Sequence, residues 1–202
     1  MTMMLDRRDL LHATAAALAL GTASGRADAG SLGESPPGSA PPGVRDFDFF
    51  FGVWTVEHRK LKARMVGSRD WETFSGETTC RPLMNGLANY NDSVSRHAGQ
   101  VGRGVGIRAF NAGDGTWADW YLSASAPSSI DKPGIGRFAA GIGTFLSDDV
   151  FQGRPIKVRG VFTNIRPGLA QWEQAFSADE GKSWETNWIM RYTRVRELPS
   201  DT

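Results

Sequence analysis

Phe47-Asp48-Phe49-Phe50-Phe51-Gly52-Val53-Trp54 is the stretch on which the fold turns. An aromatic cluster runs into a glycine, and a tryptophan follows two residues later. A glycine here lets the backbone pass close to the floor of a barrel while the indole plugs that floor. Gly52 is therefore read as structural. Beyond it Trp54, Val56 and His58 fall on one parity of a two-residue period, which points to a strand with one buried face.

Working outward, strand-like runs separated by glycine- or proline-marked turns continue to Arg196, with no convincing amphipathic helix. The expected strands span 53–64, 71–80, 88–95, 104–110, 117–124, 137–146, 156–165, 170–177 and 184–195. Nine runs in sequence order suit an all-β fold, a single up-and-down antiparallel barrel of about 8–10 strands, because closure removes the bare edges that an open sheet would present.

The last hairpin has the clearest turn. Ser177-Ala178-Asp179-Glu180-Gly181-Lys182-Ser183-Trp184 offers a carboxylate, Asp179, to hold turn amides and a glycine, Gly181, to adopt positive φ. This expected register sets Phe176 opposite Trp184, Trp172 opposite Trp188 and Ala170 opposite Met190 on an apolar face, with Glu173, Asn187 and Arg191 on the polar one. The turn resembles the Asp box of sialidase propellers, where it repeats; a single copy reads as a hairpin staple. The same parity test assigns Val105, Ile107 and Ala109 inward, likewise Ala118, Trp120 and Leu122, then Phe138, Ala140 and Ile142, and finally Ile156, Val158, Gly160 and Phe162.

The run from Phe49 to Trp54, the central glycine-rich strands and the ending from Trp172 to Trp188 together resemble bacterial lipocalin-like families of unknown function, over residues 46–195. The resemblance implies a calycin-type barrel around a small apolar ligand and supplies no catalytic motif. It also implies that an arginine of the closing strand covers Trp54; Arg194 is preferred and Arg191 competes. Haem-binding relatives use a histidine near the C-terminus, which this chain lacks, so no cofactor is expected.

Ahead of the barrel, Arg7-Arg8, an alanine-rich stretch over 13–20 and Ala27-Asp28-Ala29 read as a twin-arginine export signal over 1–29, giving a periplasmic or secreted bacterial protein. Residues 30–44, with Pro36-Pro37-Gly38 and Pro41-Pro42-Gly43, read as a tether, the barrel domain as 45–196 and 197–202 as a tail. The net charge of +1 gives no reason to seek nucleic acid or anionic lipid, and the leader is too short for stable membrane insertion. The single cysteine, Cys80, forms no internal disulfide and reads as a small buried hydrophobe. Oligomeric state is left open.

Chemistry-bearing residues are few. No metal site is expected, since the Cys, His and acidic residues do not cluster at ligand spacing. His97 reads as a solvated loop residue. His58 shares the inward face of Trp54 and could orient a ligand or move a proton, with Tyr90 and Asp92 as polar partners if the protein is an enzyme. Glycines at 99, 102, 104 and 106 precede no helix, which argues against a dinucleotide site. The expected function is binding of a small apolar or aromatic molecule by Trp54, His58, Trp120, Phe162, Trp172 and Trp188. The alternatives are a cofactor-independent lyase or isomerase with His58 as acid or base on an aromatic or terpenoid substrate, and an envelope interaction module without a ligand.

Overall fold

A computed structural model describes residues 40–198. The leader read at 1–29 and most of the tether lie outside the described residues, as does most of the tail. Ten antiparallel strands form one closed ring: β1 Gly52–Leu61, β2 Trp71–Leu83, β3 Ala88–His97, β4 Gln100–Asn111, β5 Thr116–Ser123, β6 Gly134–Ala139, β7 Ile142–Phe151, β8 Arg154–Arg166, β9 Leu169–Ser177 and β10 Glu185–Arg196. Each strand pairs with its sequence neighbour, and β1 pairs with both β2 and β10. This is an all-β, single up-and-down antiparallel barrel, as the strand pattern of the sequence predicts.

The tenth strand arises where a single strand was expected over 137–146. Ala140 and Gly141 take φ of 49° and 78°, and two successive positive φ values make a tight hairpin turn rather than a continuous strand. Ala140 and Ile142, read as inward, are consequently exposed, while Phe138 points in.

The floor is built by the opening stretch. Phe47 and Phe50 are fully buried around a single 3-10 turn, Asp48–Phe50. The Phe47 ring meets Trp117 edge-on at 4.9 Å, Phe138 at 5.0 Å and Phe162 at 5.4 Å. Trp54 is completely buried, and its Nε1 donates to the Phe50 carbonyl at 2.8 Å. Packing begins before Arg45: Val44 is buried and the Gly43 carbonyl accepts from Trp117 Nε1 at 3.0 Å, so the last residues of the expected tether belong to the floor.

Barrel closure runs through Gly52 and Arg194. Gly52 has φ of 140°, and a Cβ there would lie 2.9 Å from the Arg196 carbonyl oxygen, so the β1 to β10 seam admits no side chain at this point. The Arg194 guanidinium stacks 4.7 Å above the Trp54 ring and donates to the Phe49 carbonyl. Arg191 lies outside, 3.0 Å from Glu57. Of the two arginines, Arg194 is the cover.

The closing hairpin has the expected turn and a different register. Asp179 accepts from Ser183 N at 2.9 Å and from Ser183 Oγ, Gly181 N donates to Ser177 Oγ at 2.8 Å, and Gly181 has φ of 86°. Trp172 pairs with Met190, and Trp188 with Gln174, two residues from the expected alignment. A bulge between Thr186 and Trp188 absorbs the difference and turns Asn187, read as outward, into a fully buried residue.

Candidate ligand cavity

Above the floor the barrel encloses a cavity of about 410 Å³, within the roughly 300–1,000 Å³ range of small-molecule sites. Its wall on β8 to β10 is aromatic: Phe162, Trp172, Trp188 and Tyr192, with Met190 among them. Trp172 and Trp188 sit edge to face at 6.1 Å. The alternation that buries Ile156, Val158, Gly160 and Phe162 on one face of β8 agrees with the parity expected from sequence.

The facing wall, on β2 to β5, reverses expectation. On β4 the inward residues are Gly104, Gly106 and Arg108, while Val105, Ile107 and Ala109 lie on the outer parity. On β5 Trp117, Asp119, Tyr121 and Ser123 point in, and Ala118, Trp120 and Leu122 point out. Bulk inside this sector comes from long polar side chains, for which the glycines leave space. A Cβ on Gly104 would collide with the Tyr121 hydroxyl, and one on Gly106 with the Asn91 amide oxygen.

Arg108 organises the wall. It is 5% exposed, donating from Nη1 to Asn89 Oδ1 at 2.9 Å and from Nη2 to Asn91 Oδ1 at 2.7 Å. Its Nε lies 3.3 Å from Asp119 Oδ1, near enough for ionic attraction although the N–H is not aimed at that oxygen. The guanidinium also faces the Phe47 and Phe50 rings at 5.0 and 5.2 Å, so it ties the floor to the polar wall. Asn91 passes the network on to Thr78 Oγ1 at 3.1 Å and Ser93 Oγ at 2.8 Å. A buried charge of this kind persists because a carboxylate and two amides replace the water it has lost.

His58 is where expected, on the inward face of β1 and 7% exposed. Its ring stacks on Phe74 at 4.6 Å with planes 7° apart, and Nδ1 accepts from Trp188 Nε1 at 3.2 Å. That bond assigns the remaining proton of the neutral ring to Nε2. Burial, helped by the Lys60 charge, lowers its pKa from 6.5 to about 4, so the imidazole is neutral at pH 7. Lys60, also buried, places Nζ 4.3 Å from the Trp188 ring centre.

The other sequence candidates separate. Trp172, Trp188, Phe162 and His58 line the cavity together. Trp54 lies in the floor beneath it, sealed by Arg194, and acts as structure. Trp120 borders the cavity but pairs with Ile107 on the outer parity. Tyr90 and Asp92 are not brought to His58: Tyr90 shares the outward parity of Ile107, and Asp92 is exposed. Their neighbours Asn89 and Asn91 point in instead. His97 ends β3 with Nε2 3.3 Å from Glu72 Oε2 and its ring against Phe74, so it belongs to a strand rather than a loop. Cys80 is fully buried, and burial pushes its thiol up to about 12, against the opposing pull of Arg108. Lys60, Asn91, Arg108, Asp119 and Tyr121 were missed. A glycine at every second position, Gly102, Gly104 and Gly106 running into Arg108, was the available signal.

No protein-family model matches the chain, and no curated protein does. Among solved structures it is similar to an S-type phycobiliprotein lyase from Guillardia theta, at 11% identity and a TM-score of 0.49, over 75% of this chain and 92% of that one.

Proposed function

We propose that this protein is an exported carrier whose barrel binds a small molecule with a flat apolar body and a hydrogen-bonding end. The observation that supports this reading is the division of the roughly 410 Å³ cavity into an aromatic wall and a polar wall. A flat body fits against the Trp172 and Trp188 rings, and a polar end reaches Asn91 and Tyr121 across the space, with Lys60 beside Trp188.

Binding is favoured over turnover because His58 already spends Nδ1 on Trp188 and resists protonation, while Tyr90 and Asp92 stand outside. Export rests on the leader residues Arg7 and Arg8 and on Ala27-Asp28-Ala29. Native mass spectrometry of protein purified from its own host should reveal a retained small molecule. Trp172→Ala should release it, and His58→Ala should weaken retention only modestly. Protein that carries nothing, and whose tryptophan emission is unmoved by a panel of flat amphipathic compounds, would refute a carrier.

A further inference from the structure

His58 is hydrogen-bonded on one edge only. Trp188 Nε1 donates to its Nδ1 at 3.2 Å and Phe74 stacks on its face at 4.6 Å, so the ring cannot turn without losing both contacts. The other nitrogen, Nε2, carries the proton of the neutral ring and gives it to no acceptor among the described residues. Gly76 on β2 leaves room for that edge, since a Cβ there would lie 2.5 Å from Nε2. The residue is 7% exposed and lines the cavity, and Nε2 is not one of the donors sealed in the wall, as Asn89 Nδ2 and Arg108 Nε are. A buried N–H without a partner is costly, so an occupant that accepts from it gains what a hydrocarbon forfeits.

We infer that the molecule held here has a carbonyl oxygen on its flat body, as aromatic ketones and quinones do, and that this oxygen accepts from His58 Nε2. The inference rests on the carrier reading and narrows it to molecules with an acceptor beside the Trp188 ring. The His58 and Trp188 ring centres are 5.8 Å apart, so a body lying on Trp188 has its edge within reach of the imidazole. Trp188 then acts twice. Its face takes the ligand, and its indole N–H, which can only donate, obliges Nδ1 to accept and keeps the His58 proton on Nε2. It is a positioning residue for selectivity: a ligand that presents an N–H at this place meets another N–H, and neither is satisfied.

Three tricycles of nearly one shape test this, each measured by equilibrium dialysis against the full chain: fluorene, fluorenone with its carbonyl and carbazole with its N–H. Fluorenone should bind about three- to tenfold more tightly than fluorene, the worth of one neutral hydrogen bond, and carbazole no more tightly than fluorene. His58→Phe should erase the preference for fluorenone while near-UV circular dichroism stays native. His58→Gln, which can accept from Trp188 and still donate, should restore it. Trp188→Phe keeps an aromatic face but releases Nδ1, so the proton can sit on either nitrogen and carbazole should gain on fluorenone, a change that a purely structural Trp188 would not produce. Should His58→Phe fail to fold, Trp188→Phe decides. Equal binding of all three by the wild type, or a preference for fluorenone that survives His58→Phe, overturns the inference and leaves the carrier standing. Binding of none removes both. Tighter binding of fluorene-9-carboxylate than of fluorenone would also overturn it, by giving the place to an anion.

Discussion

His58 and Arg108 solve the same problem, a nitrogen base in a dry interior, in opposite ways. His58 gives up its charge. Since its folded pKa of about 4 lies below the ordinary 6.5, the unfolded chain binds the proton more tightly, and stability is fully present above pH 6.5 and falls between pH 6.5 and 4. The span corresponds to roughly 3 kcal/mol as an upper bound. Urea unfolding at pH 7.5 and pH 4.5 should show that loss in the wild type, and His58→Gln, which can still accept from Trp188 and does not titrate, should remove most of it. Arg108 keeps its charge and relies on partners. Asp119→Ala should lower the urea midpoint by an amount equivalent to about 3 kcal/mol, because it leaves a cation buried without its carboxylate. The exposed pair of Arg191 with Glu57 should count for less than about 1 kcal/mol when Glu57 is changed to Gln. The Cys80 thiol, buried and poised at about 12, should resist Ellman's reagent until the protein is unfolded.

Among the elements, β4 decides the character of the interior. Gly104→Ala should shift the Tyr121 ring and cost about 1–3 kcal/mol by overpacking, with cavity binding changed as well. Gly134→Ala, whose new Cβ would meet the Phe145 side chain at an ordinary 3.4 Å, is the matched control; thermal unfolding of both variants checks the contrast. The first and last strands were legible in the sequence. Gly52, Trp54 and Arg194 each do something that few other residues can do at a seam, and β8 has apolar residues on its buried side. The middle strands were not legible, because a parity argument takes the apolar face as the inner one. On β4 and β5 Val105, Ile107, Ala118 and Leu122 outvoted Gly104, Gly106, Arg108 and Asp119, although the latter face the cavity. The closing hairpin failed more subtly: its turn chemistry was readable, but a bulge beside Asn187 leaves no mark in a pattern of alternating residues.

For the molecule as a whole, the container could be inferred before its contents. Strand runs in sequence order and an aromatic entry call for a closed ring, whereas the cavity depends on which polar groups can share one interior, a matter of contacts across strands. Lys60, Asn91, Arg108 and Asp119 come from four different strands, so no local window displays them together.

The seam between β1 and β10 also sets an order of events. Trp188 and His58, bonded across it, are 130 residues apart in the chain. Until the final strand has been synthesised, the growing polypeptide is an open meander with one bare edge at β1 and another at β9, each ready to pair with a stranger. The ring completes late, from its two ends, rather than growing stepwise into its final form. A chain ending at residue 184 should therefore collect in inclusion bodies, and a synthetic β10 peptide supplied during refolding should return part of it to solution.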